Sequence, residues 1–325
     1  ILRAGLGFDQ CDIGICTNVT VDHLGLKDIN TIEDMARVKS VVPESVKKNG
    51  YAILNADDDL VYKMREDLEC KVALFSMDEH NKRIKKHTAG GGIAAVFENN
   101  YITIIKSGWK VRIEKVINIP LTYGGRAAFM IQNVLAATLA AYLEGLSTED
   151  IKFGLTSFVP GTAQTPGRLN LIEVGDFKVL IDFAHNPAGM EALSKFVDKF
   201  PNKVKIGVVA GTGDRRDEDI IKLGSVIGKM FTKVVIRQDD NLRGRSSADE
   251  ISDLLLKGIL KANPEIKHKV IADEVQAIEF ALSHTKKNEL LVLLPDNIPR
   301  CIQIVNKLRE SLNHVKVEHS DIQNQ

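Results

Sequence analysis

Several short stretches of this chain gather residue types that can hold phosphate, metal or an amino acid. Asp182-Phe183-Ala184-His185-Asn186-Pro187 is the most specific of them. An apolar run ends in Asp182, a turn follows, and Pro187 suits the first turn of a helix. A carboxylate at such a strand end can take both hydroxyls of a ribose. Gly211-Thr212-Gly213-Asp214-Arg215-Arg216-Asp217 joins an apolar run to a helical pattern. Its glycines allow tight turns and its free N–H groups attract anions, although a Gly-x-Gly turn often serves packing alone. Asp239-Asp240-Asn241-Leu242-Arg243-Gly244-Arg245 mixes carboxylates with guanidinium groups, a set that can hold both ends of an amino acid. Arg168 follows Pro166-Gly167, and its planar fork suits either a phosphate or an ion pair between domains. Asp22-His23 can serve a divalent metal or a developing charge; a surface turn with a satisfied histidine is the plainer reading. Pro295-Asp296-Asn297-Ile298-Pro299-Arg300 reads either as a site loop or as a helix start capped by Asp296 or Asn297. Lys39 and Asn133 fall on helices. There a solvated lysine and close packing of an Ala-rich face are the plainer readings, although an amide can also read a purine edge.

The elements that must carry these residues alternate between strand and helix. In the first half, strands are expected at Asp12–Val19, Tyr51–Leu54 and Val72–Phe75. A helix starts at the capping-box-like Thr31-Ile32-Glu33-Asp34 and runs toward Lys48, ending at Asn49-Gly50. Ile93–Phe97 and Tyr101–Ile105, joined by Glu98-Asn99-Asn100, read as a hairpin. Gly90-Gly91-Gly92 reads as a flexible loop. A helix is expected at Arg126–Leu143, closed by Gly145, with another starting at Ser147. Pro160-Gly161-Thr162-Ala163-Gln164-Thr165-Pro166-Gly167 is the best linker, with a boundary near Thr165 and a hinge there. In the second half, strands fit Leu171–Val174, Val179–Asp182, Lys205–Ala210, Lys233–Ile236, Lys269–Ile271 and Leu290–Leu294. Helices fit Ala188–Lys199, Asp217–Met230, Ala248–Leu260, Glu274–His284 and Ile298–Leu312. Runs such as Leu290-Leu291-Val292-Leu293-Leu294 suit strands buried on both faces of a doubly wound, mainly parallel sheet. A polar tail is expected from about Glu318.

The composition is that of an ordinary globular chain long enough for two domains: 325 residues, 44% hydrophobic and 26% charged. Forty-three basic and 43 acidic residues cancel. That balance argues against nucleic acid or an anionic membrane as a general partner. No apolar run reaches the length of a membrane span, and no secretory signal is visible. Cys11, Cys16, Cys70 and Cys301 have no Cys-x-x-Cys spacing and read as free thiols of a reducing cytosol.

Thr17-Asn18-Val19-Thr20-Val21-Asp22-His23-Leu24, the Asp182–Pro187 turn and the Gly211–Asp217 loop together resemble the Mur ligase superfamily. Within it they resemble most the branch that joins arginine to the aspartate side chains of a peptide polymer. The resemblance runs from Ile1 to about Leu312. It implies an α/β fold with a partial Mur ligase central domain over 1–165, a mixed sheet with a hairpin insertion that lacks its phosphate-loop segment. A Rossmann-like, doubly wound C-terminal domain over 166–325 would follow. It also implies an ATP-dependent carboxylate–amine ligase: ATP phosphorylates a carboxylate, an amine attacks the acyl phosphate, and phosphate leaves. ATP and Mg2+ are the cofactors so implied.

By the same resemblance, His23 helps hold magnesium. Lys39 matches a lysine that many members carbamylate, which would make it a metal ligand as well. Asn133, in Gln132-Asn133-Val134-Leu135-Ala136-Ala137, would touch adenine, although Phe129-Met130 replaces the family's His-Asn. Arg168 would reach the ATP phosphates and Asp182 the ribose, with His185 in the same nucleotide site. Phe183 stands for the usual Tyr. His23, Lys39 and Arg168 form the implied catalytic set. Asp214, Arg215, Arg216, Asn241, Arg243 and Arg245 would bind substrate, with Leu242 where amino-acid-adding members have Pro. The implied partners are arginine and an aspartate-containing peptide polymer, within a cytoplasmic homo-oligomer that uses neither nucleic acid nor membrane.

No Gly-x-x-x-x-Gly-Lys-Ser/Thr pattern occurs in these 325 residues, and the first residue is Ile. A working ligase would need that loop, either upstream in a longer protein or from a separate chain, and this chain alone is expected to have little ligase activity. Three other readings remain. One is another Mur-type ligase, acting on folate or a cell-wall precursor, against which the Asp214–Asp219 run and the Arg243–Arg245 loop argue. Another is a non-catalytic module binding nucleotide or peptide. The third is a doubly wound dehydrogenase, for which no Gly-x-Gly-x-x-Gly is present.

Overall fold

A computed structural model describes residues 5–21, 24–25, 29–239 and 241–322, with side chains as far as Asn313. The chain divides into two compact units, Ile1–Val159 and Pro160–Gln325.

The first unit is built on one six-stranded sheet in the order β1-β2-β3-β4-β5-β6. Its strands are β1 (Cys11–Cys16), β2 (Val46–Asn55), β3 (Lys71–Ser76), β4 (Ile93–Glu98), β5 (Tyr101–Lys106) and β6 (Trp109–Lys115). The first four are parallel and the last three form an antiparallel meander. Helices α1 (Ile32–Glu44), α2 (Asp59–Met64) and α3 (Lys82–Ala89) connect the parallel strands, and α4 (Ala128–Leu143) and α5 (Thr148–Ser157) follow the meander.

Both faces of the parallel strands are covered, which explains their unbroken apolar runs. Ala52, Leu54, Leu74, Ala94 and Val96 pack with Met35, Val61 and Ile84 on one side. Ile53, Phe75, Ala95, Ile102 and Ile104 pack with Ile131, Leu135 and Leu139 of α4 on the other. Thr31 and Asp34 close the capping box expected from the sequence: the Asp34 amide donates to Thr31 Oγ1 at 3.1 Å, and the Thr31 amide donates to Asp34 Oδ2 at 2.9 Å.

Two expectations change in this unit. The helix stops at Glu44 instead of running toward Lys48, and β2 begins at Val46 and runs through Asn49-Gly50. Pro43 removes an amide from the last turn of α1, so the helix has little reason to continue. β2 then bulges against β1: Cys11 pairs with Val46 but Ile13 pairs with Tyr51. Gly50 sits at that bulge, where a Cβ would lie 2.3 Å from the Asp12 carbonyl oxygen. The hairpin, for its part, has a third strand. Asn99-Asn100 and Ser107-Gly108 form successive two-residue turns with φ of 50° and 66°, then 50° and 80°. The second turn leads into β6, whose mixed sequence Trp-Lys-Val-Arg gave no clean alternation.

The second unit carries a sheet in the order β11-β10-β9-β12-β8-β7. Its strands are β7 (Asn170–Val174), β8 (Phe177–Ile181), β9 (Lys205–Val209), β10 (Lys233–Ile236), β11 (Lys267–Val270) and β12 (Leu290–Leu293). Only the β7–β8 hairpin is antiparallel. The helices are α6 (Pro187–Val197), α7 (Asp217–Met230), α8 (Ala248–Ala262), α9 (Glu274–His284) and α10 (Ile298–Ile322). The tail expected from Glu318 is thus helical as far as Ile322.

One face of this sheet packs on Ala277, Ile278, Ala281 and Leu282 of α9 and on Cys301 and Val305 of α10. On α7 and α8 glycine backbones meet directly: a Cβ on Gly258 would lie 2.1 Å from the Ile221 carbonyl oxygen, and one on Gly224 2.2 Å from that of Leu255. β11 forms one edge of the sheet, and all four of its residues, Lys267-His268-Lys269-Val270, are exposed.

His87 makes the stability of the first unit depend on pH. Its ring is packed against Gly92, and its Nε2 is buried with no hydrogen-bond partner. Burial holds its pKa below the ordinary value near 6.5, outweighing the opposing influence of the nearby Ile93 and Val72 backbone. The unfolded chain therefore takes up a proton at a pH where the native ring does not. The stabilisation is complete above about pH 6.5 and is lost as the pH falls through that value. Denaturant midpoints at pH 7.5 and 5.5 should fall further apart in the wild type than in His87→Gln; equal spacing would refute this role.

Candidate functional site

In both units most of the chemistry-bearing residues lie in or beside the loops where parallel strands end, the edge at which α/β sheets build sites; Asn133, on α4, does not. In the first unit the loop after β1 is sewn to its neighbours. The Asn55 side-chain amide donates to the Thr17 carbonyl at 2.8 Å, and the Val19 amide donates to Asp58 Oδ2 at 2.8 Å. Asp58 Oδ1 meanwhile caps α2, accepting from the Leu60 and Val61 amides at 3.0 Å each. Asp57 reaches the other way, accepting from Ser76 Oγ at 2.5 Å and from the Met77 amide at 2.7 Å.

Lys39 joins this loop: its ammonium donates to the Asn18 carbonyl at 2.9 Å. Beneath it burial pushes the Cys16 thiol up to about 11, with the nearby Lys39 charge opposing and Asp58 reinforcing. Cys16 is therefore an inert core thiol. Asn133 is exposed on α4, its amide 3.5 Å from Met130 Sδ one turn earlier. Asp22 and His23 lie outside the described residues. Asn55, Asp57 and Asp58 were not among the candidates read from the sequence. The signal was present as Asn-x-Asp-Asp immediately after an apolar strand.

In the second unit Asp182 follows β8 and is 7% exposed. Its Oδ2 accepts from the Leu169 amide at 3.0 Å and its Oδ1 from the Ala184 amide at 2.9 Å. Burial pushes this carboxyl above its ordinary range, and those N–H groups and the Arg168 charge offset only part of the effect. Buried Asn170 completes the turn, accepting from the Gly167 amide at 2.7 Å and donating to the Thr165 carbonyl at 2.8 Å. Arg168 is exposed, its guanidinium 5.7 Å from the centre of the Phe183 ring. The His185 ring lies 5.1 Å from that of Phe183, with Nδ1 2.9 Å from the Phe183 carbonyl.

The loops after β9 and β10 touch. A Cβ on Gly213 would lie 2.2 Å from the Leu242 carbonyl oxygen, so only glycine fits there. Arg245 clips the two loops together, donating to the Gly213 carbonyl at 3.1 Å, the Arg215 carbonyl at 2.7 Å and Glu250 at 2.7 Å. Asp214 is nearly buried between Arg215 at 2.6 Å and Arg243 at 3.4 Å. Arg216 turns toward the head of α7, pairing with Glu218 at 2.6 Å and Asp219 at 2.8 Å. Asn241 is exposed, its amide donating to Asp239 at 2.9 Å and its Oδ1 accepting from the Arg243 amide at 3.1 Å. Arg215, Arg216 and Arg245 therefore hold the loops, while Arg243 and Asn241 face outward enough to meet a ligand.

The Pro295–Arg300 turn after β12 also lies at this edge. Asn297 caps α10 through the Arg300 amide at 3.1 Å. Glu274, at the head of α9, accepts from the Asp296 amide at 2.7 Å and the Asn297 amide at 3.1 Å. Arg237, just past β10, pairs with Glu274 at 3.1 Å. Neither Arg237 nor Glu274 stood out in the sequence, where they are an ordinary charged residue after a strand and another at a helix start. Among the described residues no group of three or more His, Cys, Asp or Glu side chains is placed to hold a metal, and no helix is long and apolar enough to cross a membrane. All four cysteines are free.

Two family models match the chain: the Mur ligase middle domain over residues 6–141, and the Mur ligase glutamate ligase domain over residues 167–297. Cyanophycin synthetase of Crocosphaera subtropica is 49% identical over 307 residues, which is 94% of this chain and 35% of that protein. The enzyme of that name from Synechocystis sp. is 47% identical over 305 residues, again 94% of this chain and 35% of the relative. The chain thus spans about a third of the length of these relatives. Among solved structures, E. coli FolC in complex with ADP superposes with a TM-score of 0.62 at 16% identity, covering 96% of this chain and 63% of that one. MurF from Acinetobacter baumannii gives a TM-score of 0.63 at 19% identity, covering 91% and 60%. These likenesses show the two-domain α/β fold.

Asp182→Ala should leave the Leu169 and Ala184 amides without their acceptor and destabilise the second unit by about 1–3 kcal/mol. Denaturant unfolding of the variant would show this, and an unchanged midpoint would mean the carboxylate is not what holds the turn.

Proposed function

The chain belongs to the Mur ligase family through both of its domains, and from that premise we propose that it is the Mur ligase portion of a cyanophycin synthetase. The complete protein would be an ATP-dependent carboxylate–amine ligase. It would join arginine to the aspartate side-chain carboxylates of a growing peptide polymer, in the cytoplasm and as a homo-oligomer. The observation that carries this reading is the 49% identity over 94% of the chain to a relative of that name. The outward-facing Arg243 and Asn241, at the same sheet edge as Asp182, agree with it.

In this reading each unit offers its ligand contacts from its own residues. The γ-phosphoryl group passes to the polymer carboxylate, the amine of arginine attacks the acyl carbon, and phosphate departs with the C–O bond. Arg168 would meet the ATP phosphates, since its guanidinium is exposed and the carboxylate whose charge it feels, Asp182, is already held by backbone amides. Asp182 would offer its remaining lone pairs to the ribose, with His185 alongside, and Asn133 would read the adenine. Asn241 and Arg243 would hold the incoming amino acid, with Asp214, Arg215, Arg216 and Arg245 fixing the loops that present them. Magnesium, when bound, would neutralise charge on the phosphates. Lys39, whose ammonium reaches the Asn18 carbonyl, would join His23 in binding a metal if it is carbamylated.

The test is steady-state incorporation of arginine by the complete protein with ATP and an aspartate-containing primer. Arg168→Ala should lower kcat/KM for ATP by about 100-fold, the loss of one charge-stabilising donor. Incorporation of glutamate into folate, or no difference between the variant and the wild type, would overturn the reading.

A further inference from the structure

The strand order places a switch point between β9 and β12. From β9 the chain builds outward through β10 and β11, then returns to lay β12 on the other side of β9. The crevice beyond those two strand ends is where such sheets bind ligands. Its walls here are the Gly211–Asp214 loop after β9 and the Leu294–Asn297 turn after β12.

An ion pair between buried Arg237 and half-buried Glu274 braces the second wall. Arg237 is 7% exposed. It donates from Nη2 to the Leu294 carbonyl at 3.2 Å, with Nε 3.4 Å from the same oxygen, and its own amide donates to the Val209 carbonyl at 2.8 Å. Its partner Glu274 accepts the Asp296 and Asn297 amides with separate oxygens. One residue pair thus ties together the ends of β9, β10 and β12 and the head of α9. Burial also pushes the neighbouring Cys301 thiol up to about 12, with the Glu274 charge adding to it and Arg237 opposing. Drawing two charges part-way out of water offsets much of their attraction, so apolar residues of similar volume would hold the fold about as well. What they would not supply is a fork of donors and acceptors that fixes a turn in one geometry.

We infer that Arg237 and Glu274 are positioning residues for the incoming amino acid, holding the Leu294–Asn297 turn in register with the Gly211–Asp214 loop across the switch-point crevice. The amino-acid part of this inference rests on the ligase reading above. Neither residue is placed against substrate; both act through the turn.

The experiment has two arms. In this chain, amide hydrogen exchange at Asp296 and Asn297 is compared between the wild type and R237M/E274M, a double variant that removes both charges and so leaves none buried alone. Exchange at both amides should accelerate at least tenfold while the α9 core amides keep their protection. In the complete protein, the double variant should raise KM for the amino acid at least tenfold and leave KM for ATP within twofold. R237K keeps the charge but loses the fork, and should fall between. Unchanged exchange would overturn the brace. Equal rises in both KM values would reduce it to a structural role. If the wild-type protein ligates no amino acid, the ligase reading and the positioning role fall together, and the exchange arm still decides whether the brace holds the turn.

Discussion

Parallel pairing is the constraint from which the rest of this molecule follows. Strands that run the same way end at the same edge, so every loop that could carry chemistry emerges on one side of each sheet. Those loops also inherit backbone groups that the sheet no longer pairs. The structure meets that demand with side chains: Asn55, Asp57 and Asp58 in the first unit, Asp182, Asn170, Arg237 and Glu274 in the second. Asn55, Asn170, Asp182 and Arg237 are buried, Asp58 and Glu274 are half-buried and Asp57 is exposed; each gives partners to backbone that the sheet leaves unpaired. The site is therefore part of the architecture, since the groups that close off the sheet also shape the crevice above it.

The charged loops show how this divides labour among similar residues. Arg215, Arg216, Arg243 and Arg245 lie within thirty-odd residues of sequence and offer the same group. Arg245 is consumed by two carbonyls and a glutamate, Arg216 by its own helix start, and Arg215 by a buried aspartate. Arg243 is held more loosely, at 3.4 Å and 3.8 Å from Asp214 and Asp239. Longer pairs yield more readily to a ligand, so a cluster that looks uniform in sequence contains both scaffolding and contact groups.

How much of this was legible in the sequence depended on the kind of signal. The second sheet was readable nearly strand by strand, because runs such as Leu290–Leu293 and Lys205–Val209 are short, apolar and separated by amphipathic helices. The resemblance to Mur ligases rested on strand-end motifs, and the family models match the same stretches. What sequence did not show was set by distant partners. β6 hides because Trp109 and Val111 lie on an exposed edge strand and break the alternation. Gly50 looked like a helix stop, but it is small because the Asp12 carbonyl lies against it across a bulge. Asp182 read as a ribose ligand, while two backbone amides also claim it. The partner of Arg237 is thirty-seven positions away, at the start of a helix where a glutamate is commonplace, and no local pattern could pair them.

The exposed strand β11 limits how copies of this domain can meet. Its outer edge presents unpaired backbone groups, the usual template for one sheet to continue into another. Lys267 and Lys269 stand on that edge, so an antiparallel copy approaching it would set cation against cation while stripping both of water. Strand-to-strand pairing through this edge is thereby disfavoured, and the end of the sheet works as a built-in stop against runaway stacking in crowded solution.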